Sequence, residues 1–237
     1  MCAELYSKIE KFQAWLLGNQ RLLLPGRVCK FDYTVRITTK CRYNAAKRLK
    51  VQNALTQITT IVVSLILIFI PLLQLSKVKL YISEDLTTAI QCYFAVVMLV
   101  FTLLNSKDNK ELRIEKLLNC GSQLRKMSRG LNISRKSDDV DITAYITSLE
   151  ERFSDDEINK YQNQYEEILQ QSENHQDVDH LWAKMDMREH QITGLYFLYT
   201  IFMIAFSFLR NNIASLLILA SAFIFFLHLI GWINWIQ

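Results

Sequence analysis

The stretch RITTKCRYNAAKRLKVQNALTQITTIVVSLILIFIPLLQLS, residues 36–76, decides the fold. Its first part carries Arg36, Lys40, Arg42, Lys47, Arg48 and Lys50; residues 51–76 contain no Asp, Glu, Lys or Arg. No Gly or Pro interrupts it before Pro71. A hydrocarbon core of about 30 Å takes about 20 apolar helical residues. The apolar part is rich in β-branched residues, which elsewhere would suit a strand. A lone span in lipid must satisfy its own backbone, so a helix is predicted. One long helix follows, starting near Thr34, basic at its beginning and membrane-embedded at its end.

The same stretch has a sidedness. At about 100° per residue, Asn53, Gln57, Thr60 and Ser64 fall on one edge of the helix. Leu55, Ile58, Val62, Ile66 and Phe69 fall on the opposite side. Polar groups in hydrocarbon must face protein or water. Two readings stand for this edge: the wall of a pore shared by several protomers, or a polar seam packing one protomer's helices together. Upstream, Arg36, Lys40, Tyr43, Lys47 and Lys50 are spaced 4, 3, 4 and 3, and this basic stripe overlaps the polar edge in angle. Arg42 and Arg48 lie off it. Around a common axis, such stripes would ring a vestibule with positive charge and attract phosphates.

Working outward, the chain has 237 residues, 51% hydrophobic and 21% charged, with mean hydropathy +0.10. That composition excludes a collagen-like chain, a disordered chain and a disulfide-stapled secreted domain. Apolar residues fall into four blocks without acids or bases: 51–76, 86–106, 190–209 and 211–237. The predicted architecture is an all-α membrane protein, oligomeric, with four transmembrane helices in two hairpins and a cytosolic helical region. The spans are 55–76, 86–105, 192–209 and 213–236, the second hairpin turning at Arg210-Asn211-Asn212. The divisions are 1–52, a basic arm leading into the first span; 53–106, the first hairpin; 107–191, the cytosolic helices; and 192–237, the second hairpin. The first apolar run begins near residue 54, behind a charged arm, so no cleavable signal peptide is expected. Five cysteines without a CxxC read as reduced thiols.

Charge sets direction. Residues 1–52 hold 11 Lys/Arg against 3 Asp/Glu, and residues 106–136 hold 9 against 3. Positive-inside reasoning puts both segments in the cytoplasm. With four spans the C-terminus returns to that side, with Trp232 and Trp235 at the inner interface. Residues 137–194 are acidic, with 4 Lys/Arg against 15 Asp/Glu. Either these acidic helices neutralise the basic ones, or the basic zone is left for an anionic partner.

Smaller signals fill in the soluble parts. Leu5, Ile9, Phe12 and Leu16 give residues 1–24 an amphipathic helical pattern. Ser154-Asp155-Asp156-Glu157 has the form of a capping box, and Ile158, Tyr161, Tyr165, Ile168 and Leu169 give the helix behind it an apolar face. A further helix is predicted over residues 178–192. His175, Asp177, Asp179 and His180 have the chemistry of metal ligands, but their spacing matches no closed pattern, and no metal or cofactor is expected. His228 is a lone imidazole within the last block, a mark either of an ion path or of a hydrogen bond to a neighbouring helix. There is no GxSxG, P-loop, GxGxxG or HExxH, and a non-enzyme is expected.

Two segments carry a family resemblance: the basic lead-in Arg36 to Leu49 running straight into a span, and Tyr165-Glu-Glu-Ile-Leu-Gln-Gln-Ser-Glu173-Asn174-His175 followed by Asp177 and Asp179. With the hairpin and cytosolic helix between them, the chain resembles the SLATT-domain membrane proteins of bacteria over roughly residues 1–190. The resemblance implies an effector of anti-phage conflict systems that perforates the inner membrane. It implies a partner nucleotidyltransferase or reverse transcriptase. It also implies gating by a nucleotide or by a single-stranded DNA oligomer, as in arrangements resembling the Hailong defence system. In that setting Tyr33 and Tyr43 would either stack bases or pack internally.

The resulting expectation is a homo-oligomeric ion channel in the bacterial inner membrane. Arg36, Lys40, Arg42, Lys47, Arg48 and Lys50 would bind the ligand. Asn53, Gln57, Thr60 and Ser64 would line the pore. The alternative is a non-conducting anchor that recruits a signalling enzyme through its cytosolic helices.

Overall fold

The computed structural model describes residues 26–76, 82–131, 150–187 and 194–231. The predicted N-terminal amphipathic helix, Trp232 and Trp235 lie outside the described residues. Six helices form the fold: α1, Arg27–Leu75; α2, Glu84–Ser106; α3, Lys110–Leu131; α4, Asp155–Gln170; α5, Asp177–Met187; and α6, Gly194–Leu229. No strand occurs among the described residues.

Helix α1 runs unbroken for 49 residues, about 74 Å at 1.5 Å per residue. It starts after Gly26, whose φ of 82° glycine adopts freely. It also runs through Pro71. A proline lacks the N–H that would bond the carbonyl four residues back, here that of Leu67. Gln91 of α2 supplies the missing donor, its Nε2 reaching the Leu67 carbonyl oxygen at 2.8 Å. Three residues separate α2 from α3, and Asn109 takes the left-handed conformation there at φ 42°. Asn tolerates that region better than most residues.

The chain divides into two compact units: Met1–Lys47 with Arg113–Ile204, and Arg48–Leu112 with Ala205–Gln237. In the first unit, Phe31 and Val35 of α1 pack with Cys120, Leu124, Met127 and Leu131 of α3. Tyr161, Tyr165, Ile168 and Leu169 of α4 close over that core. The predicted capping box starts α4, with Ser154 Oγ accepting from the Glu157 N–H and the Glu157 carboxylate accepting from the Ser154 N–H. On another side of α1, Tyr33, Ile37 and Cys41 pack against Ala183 and Met187 of α5.

In the second unit, Val63 of α1, Met98 and Phe101 of α2 and Ala222 of α6 form the buried cluster. Outside it, Ile61, Leu65, Ile68, Leu99, Leu103, Leu217 and Ile224 are exposed apolar side chains. That surface suits hydrocarbon rather than water. Lys110 closes the mouth of the α1–α2 hairpin, donating to Asn105 Oδ1 at 2.8 Å and Thr56 Oγ1 at 3.4 Å.

The second hairpin is corrected. Arg210-Asn211-Asn212 makes no turn; all three lie inside α6, which is continuous over 36 residues. Asn211 Nδ2 donates to Ser207 Oγ, and Asn212 Nδ2 to the Phe208 carbonyl at 2.8 Å. These are bonds one turn back along the same helix, so the amides support the helix instead of ending it. After Gly194 this segment has neither Gly nor Pro to break it. Among the described residues three helical stretches, not four, are long and apolar enough to cross a membrane: Arg27–Leu75, Glu84–Leu131, which takes in α2 and α3, and Phe197–Leu229.

Candidate functional site

Several cations of the basic stripe have partners within the protein. In the first unit, Arg36 Nε lies 2.7 Å from Asp32 Oδ2, one turn earlier on α1. Lys40 Nζ lies 3.1 Å from Asp186 Oδ2 of α5. The Lys47 ammonium sits 4.9 Å from the ring centroid of Trp182, also on α5. Arg42 is only 3% exposed and donates through a terminal guanidinium nitrogen to the backbone carbonyl of Glu173. Arg113 of α3 reaches the carboxylate of the same residue, Nε to Oε2 at 2.9 Å. Arg27 pairs with Asp155 at the start of α4. Two cations of α1, Arg27 and Lys40, are thus paired with carboxylates of α4 and α5.

The aromatic residues near this stripe are packing residues. Tyr33 is buried against α5. The Tyr43 ring lies against Gly121 of α3, where an added Cβ would come within 3.3 Å. Phe31 meets Tyr165 edge to face at 5.9 Å, and the Tyr165 hydroxyl shares a hydrogen bond with Thr38 Oγ1 at 2.9 Å. Burial raises the pKa of that phenol.

The turn into α5 gathers the polar residues of the Tyr165–Asp179 segment. Asp179, fully buried, accepts from the Gln176 N–H at 3.0 Å and so caps α5, while Asn44 Nδ2 reaches its carbonyl at 3.4 Å. His175 and His180 lie with ring centroids 6.0 Å apart. Burial, then the charge of Arg42, holds His175 below its ordinary pKa against the opposing pull of Asp179 and Asp177. Burial, then Lys184 and His175, does the same to His180. Among the described residues no group of three or more His, Cys, Asp or Glu is placed to hold a metal ion. Beside this turn, burial and the neighbouring Asp179 push the Cys41 thiol up to about 12, which keeps it protonated and inert.

In the second unit, the face of α1 that packs against α2 and α6 is Thr59, Val63 and Ile70, each at most 1% exposed. Thr59 spends its hydroxyl on the Leu55 carbonyl at 2.8 Å. The polar edge is rotated from that face by about 110°. Asn53, Thr60 and Ser64 are half-buried and Gln57 is exposed. Thr60 Oγ1 is bonded within its own helix, to the Thr56 carbonyl. The expected apolar side shifts with this rotation: Ile66 packs on the buried cluster, whereas Ile58, Ile61, Leu65, Ile68 and Leu72 face outward. Lys50 is exposed and makes no ion pair among the described residues, and Arg48 is half-buried. His228 is half-buried near the end of α6.

A family model, the SMODS and SLOG-associating 2TM effector domain family 5, matches residues 28–228. The chain belongs to this SLATT family. The match begins one residue into α1 and runs to the last turn of α6, so it covers both units. The family description names two spans, whereas three stretches of the described residues are long and apolar enough to cross a membrane. Neither a curated protein nor a solved structure matches the chain. Sequence reading missed three contacts that organise this SLATT chain: Lys110 at the hairpin mouth, Gln91 at the Leu67 carbonyl, and Glu173 between Arg42 and Arg113. The one legible signal was Pro71, which leaves a carbonyl that some donor must satisfy.

Proposed function

We propose that this SLATT-family effector assembles into a homo-oligomeric, pore-forming channel of the bacterial inner membrane, acting in anti-phage defence. A nucleotide or single-stranded oligonucleotide bound to its cytosolic unit sets whether the pore conducts. A nucleotidyltransferase or reverse transcriptase is the partner that makes the ligand. One observation carries the reading: Asn53, Gln57, Thr60 and Ser64 are not enclosed by the second unit's own packing. A polar edge left open on an apolar helix calls for water or a second copy beside it. The reading asks no chemistry of any side chain, in keeping with a non-enzyme, and needs no cofactor.

In this reading the three long apolar helices each cross once, in place of the four crossings and cytoplasmic C-terminus expected from the sequence. With the basic arm in the cytoplasm, an odd number of spans puts the C-terminus on the far side of the membrane. The experiment that tests the function is planar-bilayer recording of the purified protein with and without oligonucleotides. Unitary currents that change on oligonucleotide addition support the channel. A silent bilayer at protein densities where assembly is verified supports the anchor that recruits a signalling enzyme instead.

A further inference from the structure

Helix α5 lies over the cations that the sequence singles out. Asp186 holds Lys40 at 3.1 Å, and the Trp182 ring lies 4.9 Å from the ammonium of Lys47, a residue still exposed to solvent. Between these two points Ala183 seals Tyr33, Ile37 and Cys41 of α1. The helix is short, at 11 residues, below the length at which an isolated helix holds its shape in water. Its docking therefore maintains its fold. Its polar ties are individually weak: the Lys40 and Asp186 side chains are 38% and 56% exposed. By contrast, α4 is anchored by four large side chains in the core it shares with α1 and α3. The turn before α5 is tied to both α1 and α3 at Glu173, whose backbone carbonyl accepts from Arg42 and whose carboxylate accepts from Arg113.

We propose that α5 is an autoinhibitory strap on the basic stripe of α1, latched at Glu173. Docked, it pairs Lys40 with Asp186 and sets the Trp182 ring against Lys47. Released, it leaves both cations to a phosphodiester polyanion, which therefore binds the undocked state and shifts the population toward it. The strap itself follows from the packing; only the polyanion rests on the function proposed above.

Two native cysteines report the state. Cys41 is fully buried under α5, and burial and Asp179 keep its thiol protonated. Cys120 is buried in the other core, with its Sγ 3.6 Å from the Ile168 carbonyl of α4. Strap release exposes Cys41 alone, whereas global unfolding exposes both. The experiment is peptide-resolved maleimide labelling of the full-length protein in lipid nanodiscs, for wild type, Glu173→Lys, Arg113→Glu and the double exchange. Each single variant is expected to label Cys41 at least fivefold faster with Cys120 unchanged, and the double exchange to return Cys41 to within twofold of wild type. Cys41 labelling at the wild-type rate in Glu173→Lys, Cys120 rising in step with Cys41, or no recovery in the double exchange each overturns the strap. A 20-nucleotide oligo-dT is the probe for the second half: it should speed Cys41 labelling in wild type and bind Glu173→Lys more tightly by the factor seen in labelling. If the labelling pattern holds while oligo-dT neither binds nor changes it, the polyanion reading fails and the strap stands.

Discussion

The side chain of Gln91 donates to the backbone carbonyl of Leu67, the acceptor that Pro71 leaves without its helical partner. A missing bond within α1 has become a tie between α1 and α2. In an apolar surround, losing that donor costs about 1–2 kcal/mol. Gln91→Leu should lower the stability of the folded protein in micelles by that amount. Pro71→Ala restores an N–H at the right place, so the same Gln91→Leu change should cost much less in that background. The double-mutant cycle is read from reversible denaturant unfolding. Equal costs in both backgrounds would show that the amide and the proline are independent.

Lys47 and Lys50 lie near the start of the apolar part of α1, both exposed, with the Trp182 ring 4.9 Å from the Lys47 ammonium. Reversing both charges, Lys47→Glu with Lys50→Glu, should weaken oligonucleotide binding at least tenfold. The slope of log affinity against log salt should also fall by about 1.4, since each phosphate contact on a single strand contributes about 0.7. Fluorescence anisotropy across a salt series measures both quantities. Unchanged affinity with an unchanged slope would move the ligand to other cations. The exposed Lys116, Arg125, Lys126 and Arg129 of α3 are then the ones to vary.

Much of this architecture was legible because it follows from long-period patterns. A charge-free block needs no neighbour to declare itself a span, and the Ser154–Glu157 box is a local device. The second hairpin misled because Arg210-Asn211-Asn212 has the composition of a turn. Whether an Asn ends a helix depends on where its amide goes, and both amides here bond one turn back. The spacing of the basic residues was legible along α1, but the partners of several of them were hidden. Asp186 is 146 residues from Lys40 in sequence, and nothing in the spacing of either reveals the pairing. The rotation of the polar edge relative to the packed face was hidden for the same reason: Val63 and Thr59 become the buried line only once Met98, Phe101 and Ala222 are in place.

The pore wall makes its own prediction. If Gln57 and Ser64 border water in the assembled protein, Gln57→Cys and Ser64→Cys should react with a charged, membrane-impermeant thiol reagent, and the reaction should block current. Ile61→Cys and Leu65→Cys, on the outward apolar side, should stay unreactive. Single-channel conductance before and after reagent is the measurement. Equal reactivity at Gln57 and Ile61 would remove the distinction between a water-facing and a lipid-facing edge on which the channel depends.

The pH response of α5 has a definite sign. In the docked state His175 and His180 both have pKa values below the ordinary 6.5, from burial first and then from Arg42 and Lys184. Asp177 and Asp179 pull the other way and are outweighed. Released, the rings return toward 6.5 and bind more protons than the docked state at any pH in that window. Docking is therefore fully favourable above about 6.5. It weakens as pH falls through the lowered docked values, where protonation sets two imidazolium charges beside Arg42, Lys184 and each other. Amide exchange over residues 177–187, corrected for its intrinsic pH dependence, should show protection at pH 7.5 and partial loss at pH 5.5. His175→Asn with His180→Gln should flatten that difference, because neither replacement titrates. Protection that grows on acidification would mean that the two carboxylates, not burial and the cations, govern the rings.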